Sequence, residues 1–413
     1  MNANSATPKT PSPVFLSDDL ITEIISLLPV KPLLRFKCVS NSWNTLISSP
    51  TFVKLHLKRS ATSSNTQFTL ITNHIKCIFK DEDWSIIPYP INSLIDNPSA
   101  TFVADSHYLL NLKDKEWSMA GSCNGLICLV GYRFNNRVNK LQDYWLQLWN
   151  PATRKISRNI GYFRDSEGFV FNFGWDDSTG TFKVVASRFI RDGHTSEVRV
   201  FTVGDNVWRN IEKFPVVPLG LEWHGRRIDK EYEYGCVFLN TTFNWLAIHK
   251  DIGFNWTYYV TDMTFEDLVI VSLDLGTETY NSYRLPPEEL PLEEPTIGML
   301  EECLCLCYSY PGTNIIIWQM KKFGVEESWI QFLKISSNNL QHCSFLPLFL
   351  SKDGDTLVLC SCHDEEAILY NLRDDSMQRI EVKVHKTIID DETCNWLKLT
   401  LAQRYVESLI SIC

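Results

Sequence analysis

WNPATRKI, residues 149–156, sets one apolar side chain seven positions after another across a turn of Asn, Pro, Thr and charged residues. Asn-Pro favours turn initiation, so the segment reads as a hairpin with apolar ends facing each other. The same spacing returns in CIFKDEDW (Cys77/Trp84), FTVGDNVW (Phe201/Trp208), LDLGTETY (Leu273/Tyr280) and YNLRDDSM (Tyr370/Met377), and a sixth copy, Trp318 to Trp329, carries four extra turn residues. The anchors lie 45 to 72 residues apart. Blades of a β-propeller repeat every roughly 40–50 residues, and loop insertions account for the excess. The pattern predicts a closed ring of about six four-stranded sheets, with seven or eight blades open, in preference to a pair of β-sandwiches. Closure also removes the exposed strand edges that a long β chain must otherwise protect. The alternating YVESLISI, residues 405–412, is expected to complete a blade begun near residue 66.

The front of the chain has another periodicity. In VFLSDDLITEIISLLPVKPLLRFKCVSNSWNTLISSP, residues 14–50, Ser17 is placed to cap a helix whose first turn holds Asp18 and Asp19. Leu20, Ile24, Leu27 and Leu28 recur at helical spacing, and Ile21 and Ile25 widen the apolar stripe beyond one face. Pro29 and Pro32 end this helix and start a second, and Ser40 or Asn41 can cap a third carrying Trp43, Leu46 and Ile47. Three short helices bury too little area to stand alone, so the surplus apolar surface calls for a partner.

Composition narrows the function classes. The 413 residues are 44% hydrophobic, ample for a large core, and carry a net charge of −10. Residues 14–60 hold +3, and with Lys9 adding one more, residues 61–413 carry −14. An acidic body argues against nucleic acid as a ligand, whereas the basic front suits an acidic protein partner. No run of about 18 apolar residues exists and MNANSATPKTPSP lacks the layout of a secretion signal, so the expectation is a cytosolic or nuclear protein without a membrane anchor. Residues 1–13, rich in Ser, Thr and Pro, are expected to be a disordered tail. The thirteen cysteines then read as buried thiols, and the sequons at Asn240 and Asn255 as unused.

No motif points to catalysis or to a cofactor. In ECLCLCY, residues 302–308, alternation puts Cys303, Cys305 and Cys307 on one strand face and Leu304 and Leu306 on the other, a core strand rather than a zinc site. Cys360, Cys362 and His363 are denser but have no paired-ligand spacing. Gly121, Asn124, Gly125 and Asn150-Pro151 read as turn chemistry of the blades. The longest insertions are PPEELPLEEP (286–295) and LEWHGRRIDKEYEY (221–234); from the latter, Trp223, His224, Arg226, Arg227 and Tyr232 are candidates for gripping a ligand at a ring face.

These segments also carry a family resemblance. LSDDLITEIISLLPVKPLLRFKCVSNSWNTLISS resembles a plant-type F-box, and GSCNGLICL (121–129), LWNPATRK (148–155), FGWDDSTGTFKVV (173–185), VFTVGDNVWRNI (200–211), FLNTTFNWLAIH (238–249), IVSLDLGTETYNSYRLP (270–286) and IIIWQMKKFGVEESWIQFLKI (315–335) resemble, in order, the motifs of the F-box-associated domain of the plant F-box/kelch-repeat group. The resemblance implies a mainly β protein: a disordered tail at 1–13, a three-helix F-box at 14–60 and a kelch-like β-propeller at 61–413. It implies a non-catalytic receptor that docks on the Skp adaptor of a cullin–RING ubiquitin ligase and holds a target protein. Leu16, Leu20, Ile24, Leu28, Pro29, Leu33, Leu34 and Trp43 would face the adaptor, with Arg35 and Lys37 at the rim, unless they pack on one another. Ser17 departs from the family's usual Leu-Pro. An interaction scaffold without a degradation role, a glycan- or small-ligand-binding propeller and an S-locus F-box receptor are the other readings.

Overall fold

The computed structural model describes residues 16–62, 69–78, 81–98, 101–103, 116–134, 142–166, 168–190, 195–219, 235–249, 264–288, 295–310, 313–336, 344–361, 367–380, 383–385 and 394–412. The expected tail at 1–13 lies outside them.

Four helices come first: α1 (Asp18–Ile25), α2 (Val30–Phe36), α3 (Asn41–Ser48) and α4 (Pro50–Thr62). The Ser17 hydroxyl oxygen accepts from the Leu20 amide at 3.3 Å, and Ser40 does the same for Trp43 at 3.3 Å. Each cap satisfies an amide that has no partner inside its helix. α4, beyond the three helices read from sequence, starts where the Ser49 hydroxyl accepts from the Phe52 amide at 3.2 Å. Pro50 opens it at no cost, since a first-turn amide would be unbonded anyway.

Apart from a short helix, Ile91–Asp96, and single 3-10 turns, the regular structure described after residue 62 is β. Among the described residues, six antiparallel sheets follow one another, with a short parallel pair, Thr101–Val103 with Lys383–His385, beside them. Blade 1 runs Glu116–Cys123, Leu126–Phe134, Gln142–Asn150 and Lys155–Ile156, the last continued by Ile160–Asp165. Blade 2 runs Val170–Asp176, Thr181–Phe189, Ser196–Thr202 and Trp208–Asn210. Blade 3 runs Cys236–Leu239, Thr242–Ile248, Leu268–Asp274 and Tyr280–Arg284, with Val217–Pro218 added to its second strand. Blade 4 runs Thr296–Leu300, Cys303–Tyr310, Asn314–Met320 and Trp329–Ser336; blade 5 runs Phe345–Leu350, Thr356–Ser361, Ala367–Asn371 and Met377–Ile380. Blade 6 joins the two halves of the chain, with Cys394–Tyr405 paired to Thr69–Ile78 and that strand to Asp81–Pro90.

The first strand of each blade touches that of the next, and Cys394–Tyr405 touches those of blades 5 and 1, so the ring closes. Closure by the chain's own end is as expected, but the strand is not the expected one. Residues 394–405 form it, while residues 406–412 leave the sheet.

The predicted hairpins can be checked against the strand register. Trp149 lies opposite Ile156, Phe201 opposite Trp208, Leu273 opposite Tyr280 and Tyr370 opposite Met377. The other two are shifted by two positions. Trp84 faces Ile75 rather than Cys77, and Trp329 faces Met320 rather than Trp318.

Neighbouring blades pack face to face. In blade 4, Leu304 and Leu306 join the core shared with blade 3, while Cys305 and Cys307 join the core shared with blade 5. The cysteine run is therefore core, and burial pushes the Cys305 thiol up to about 12. Among the described residues no group of three or more His, Cys, Asp or Glu is disposed to hold a metal; Cys362 and His363 lie outside them.

Candidate functional site

Antiparallel alternation gives the ring two rims. The first-to-second and third-to-fourth turns of every blade lie on one, the second-to-third turns on the other. The helices sit on the first rim, against blade 1. Their core is Ile25, Val30, Leu33, Ile47 and Phe52, joined by Leu409 from the chain's end, with Ala152 of blade 1 packed against it.

α1 is apolar on two sides. Ile21, Ile25 and Leu28 turn inward onto that core. On the outer side Leu16, Leu20 and Ile24 are 52, 53 and 54% exposed, and Leu27 and Val39 are 68 and 66% exposed. Leu20 and Ile24 stand one turn apart on α1, Leu16 lies just before its cap and Leu27 just after its end, so four open apolar side chains are gathered along one short stretch of chain. A stripe of large apolar side chains open to water is the mark of a surface that another molecule covers.

α4 holds this surface in place. Arg59 bonds the carboxylate of Glu23 and donates to its carbonyl at 2.8 Å. The buried His56 sits one turn earlier, its Nε2 hydrogen-bonded at 2.9 Å to the carbonyl of Leu28, where α1 has just ended. Burial holds its imidazole below the ordinary range, outweighing that bond, so the ring is neutral and donates. The exposed Lys31 and Arg35 bring positive charge on the α2 side, while the exposed Asp18 and Asp19 stand in the first turn of α1. Burial, helped by nearby Lys155, pushes the Lys37 ammonium below its usual value.

The expected adaptor-facing residues thus divide. Leu16, Leu20, Ile24, Pro29 and Arg35 are exposed; Leu28, Leu34, Lys37 and Trp43 are half-buried, and of these Leu28, Leu34 and Trp43 lean on the helical core. Leu33 is fully enclosed and belongs to the core, a correction with a simple cause: adjacent residues point about 100° apart on a helix, so Leu33 faces the core squarely while Leu34 packs at its margin. Leu27 and Val39 were not among the expected contacts, although the 20–24–27 spacing carried the signal for Leu27.

On the far rim, where blades 1 and 2 meet, Arg188 and Arg199 converge on Asp165 at 2.7 and 2.8 Å, and both also bond Glu197. Their guanidinium groups lie 4.2 and 4.7 Å from the ring centre of Phe169. Burial alone would raise Asp165, but bonds from the two arginines hold its carboxyl below the usual range. The paired charges make this cluster a clamp between blades. The segment carrying Trp223, His224, Arg226, Arg227 and Tyr232 lies outside the described residues. It leaves the described chain at Leu219 and returns at Gly235, between two short segments, Val217–Pro218 and Cys236–Leu239, that both pair with the second strand of blade 3.

The sequence signature of the F-box associated beta propeller domain matches residues 78–412, and that of the F-box domain matches residues 15–55. Among characterised proteins, an F-box/kelch-repeat protein of Arabidopsis thaliana is 28% identical over 78% of this chain and 80% of its own length. The F-box protein CPR1 of Arabidopsis thaliana is 24% identical over 88% of this chain and 84% of its own. Among solved structures, the α-L-arabinanase of Penicillium chrysogenum complexed with arabinobiose overlaps 66% of this chain and 83% of its own at a TM-score of 0.40 and 8% identity, too slight a likeness to speak to ligands.

Proposed function

Because this chain belongs to the F-box-associated β-propeller family, with an F-box domain ahead of the propeller, we propose that it is the target-recognition subunit of a Skp–cullin–F-box ubiquitin ligase. The stripe Leu16, Leu20, Ile24 and Leu27, with Val39 and Pro29 beside it, seats on the Skp-type adaptor, and through it on the cullin and RING subunits. Lys31 and Arg35 face acidic groups at the edge. The propeller holds a target protein on the far rim, away from the adaptor. Ubiquitin transfer belongs to the other subunits, in the cytosol or nucleus.

One observation carries the reading. An apolar stripe lies on and beside the helix that the F-box signature covers, whereas elsewhere among the described residues exposed large apolar side chains are few and scattered. Burying such side chains in a complementary groove yields about 1.5–3 kcal/mol each, enough in combination for a stable complex. The test is co-purification of the full chain with a Skp adaptor and cullin. Leu20→Asp with Ile24→Asp abolishes the complex if the stripe is the seat, since a carboxylate desolvated in an apolar groove is costly. Retention of the complex by that variant refutes the assignment.

A further inference from the structure

After Tyr405 closes the ring, residues 406–412 cross the helix-side rim of blade 1. Ser408 is fully buried and Leu409 nearly so. Asn150 Nδ2 donates to the carbonyls of Ser408 at 3.1 Å and Ile410 at 3.0 Å, while its Oδ1 accepts from the Thr153 amide at 3.1 Å. Ile410 and Ile412 pack on the core between blades 1 and 2. Leu409 points the other way, into the helical core with Ile25, Val30, Leu33, Ile47 and Phe52. Beside it the Glu407 carboxylate accepts from the amide of Val30, the first residue of α2, at 3.2 Å.

Gly125 shows how closely this segment is seated. Asn124 and Gly125 form the two-residue turn between Cys123 and Leu126 with φ of 49° and 76°. A Cβ on Gly125 would lie 2.3 Å from the Ser408 hydroxyl oxygen and 2.7 Å from the Val406 carbonyl oxygen. Gly180, in the equivalent turn of blade 2, has φ of 67° and open space around it. The glycine of one turn lies under the tail; that of its neighbour faces open space.

We propose that residues 406–412 rivet the helices to the ring, and that Gly125, Asn150, Glu407 and Leu409 are positioning residues fixing the angle between the adaptor-facing stripe and the propeller. Contacts between domains of one chain are by default permissive of relative motion. Here one short segment belongs to two cores at once, so the angle is set by packing and not left to the covalent link. The consequence, a target presented at one reach from the rest of the ligase, rests on the proposed function; the rivet itself does not.

The experiment uses the full chain alone, with a fluorescent donor and acceptor on encoded residues at the exposed positions Lys54 in α4 and Lys352 in blade 5. Single-molecule energy transfer is expected to give one narrow peak. Asn150→Ala, which loses both bonds to the tail, and Gly125→Ala, which displaces it, broaden or split that peak; Gly180→Ala, equally strained in φ, leaves it narrow. Hydrogen exchange at Val30 speeds up about tenfold in the first two variants only. An unchanged peak in both Asn150→Ala and Gly125→Ala overturns the proposal, as does equal broadening in the two glycine variants. Adaptor binding measured in parallel reports on the proposed function separately: a chain that never binds adaptor yet shows the expected peaks leaves the rivet standing.

Discussion

The helices and the ring handle apolar surface in opposite ways. Among the described residues ten large apolar side chains are exposed; five, Leu16, Leu20, Ile24, Leu27 and Val39, crowd into the first 39 residues. The other five, Ile156, Tyr162, Val207, Val325 and Ile330, are spread over more than 170 positions of the ring. In the ring every sheet has a neighbour on each side, so both faces of a strand find cover, as Leu304 and Cys305 do. The helical piece has a single layer of contacts, and α1 has apolar residues for two. An isolated exposed Ile on a blade is ordinary surface, whereas four gathered together are an unfinished interface.

The largest effect that would sharpen the contrast is Lys183→Met. Lys183 is enclosed between blades 2 and 3, 2.9 Å from Asp176 and 3.1 Å from Glu278. Burial by itself would raise both carboxyls, but their hydrogen bonds, from Ser178 and Lys183 to Asp176 and from Arg209 and Lys183 to Glu278, hold both below their usual range. Removing the ammonium strands buried charge at a cost of about 3–5 kcal/mol, read by denaturant unfolding, while adaptor affinity is unchanged. Next comes Leu20→Asp with Ile24→Asp, which changes unfolding free energy by under about 0.5 kcal/mol because both sites are open to water, yet weakens adaptor binding by at least about 3 kcal/mol, roughly a hundredfold or more in Kd. Leu33→Ala, on the next helix but enclosed, does the reverse: it loosens the helical piece by about 2–4 kcal/mol through the cavity it leaves. If Leu33→Ala and Leu20→Asp acted alike, the division of the helices into core and open faces would be wrong.

The smallest effect is one of pH. His56 is held neutral by burial in the folded helices, whereas the unfolded chain takes up a proton near the ordinary value of 6.5. Its contribution is therefore complete above about pH 6.5 and is lost as the pH falls below that value toward the lowered folded pKa. Hydrogen exchange in α4 followed from pH 7.5 to 5 checks this, with the ring's strands as the internal reference, and His56→Gln flattens the profile.

Much of the ring was legible because period two survives small errors. The two hairpins whose partners were misassigned are each off by two residues at the predicted pair, an even shift that leaves the alternation of positions intact there. In one, pairing nearest the turn is Met320 with Trp329, and in the other Ile78 with Asp81, so each turn is centred one residue away from where its polar run implied. The chain's end was misread for a different reason. Its alternating residues do face opposite ways, but toward two domains: Leu409 to the helices, Ile410 and Ile412 to blade 1. Local pattern cannot distinguish that from a strand. At the candidate site, spacing revealed the α1 stripe, while the inward place of Leu33 depends on how α2 packs against α3 and α4, which no local pattern encodes. The Asn150 and Gly125 turns read as blade architecture; that they also seat the tail depends on a contact 258 residues away in sequence.

The central claim is that the open stripe of α1 is an adaptor seat. Titration calorimetry of the full chain with a purified Skp-type adaptor, beside the Leu20→Asp, Ile24→Asp variant, tests it directly. One adaptor bound per chain, and no heat of binding from the folded variant, is the predicted result; a wild-type chain that fails to bind, or a variant that binds as well, would contradict it.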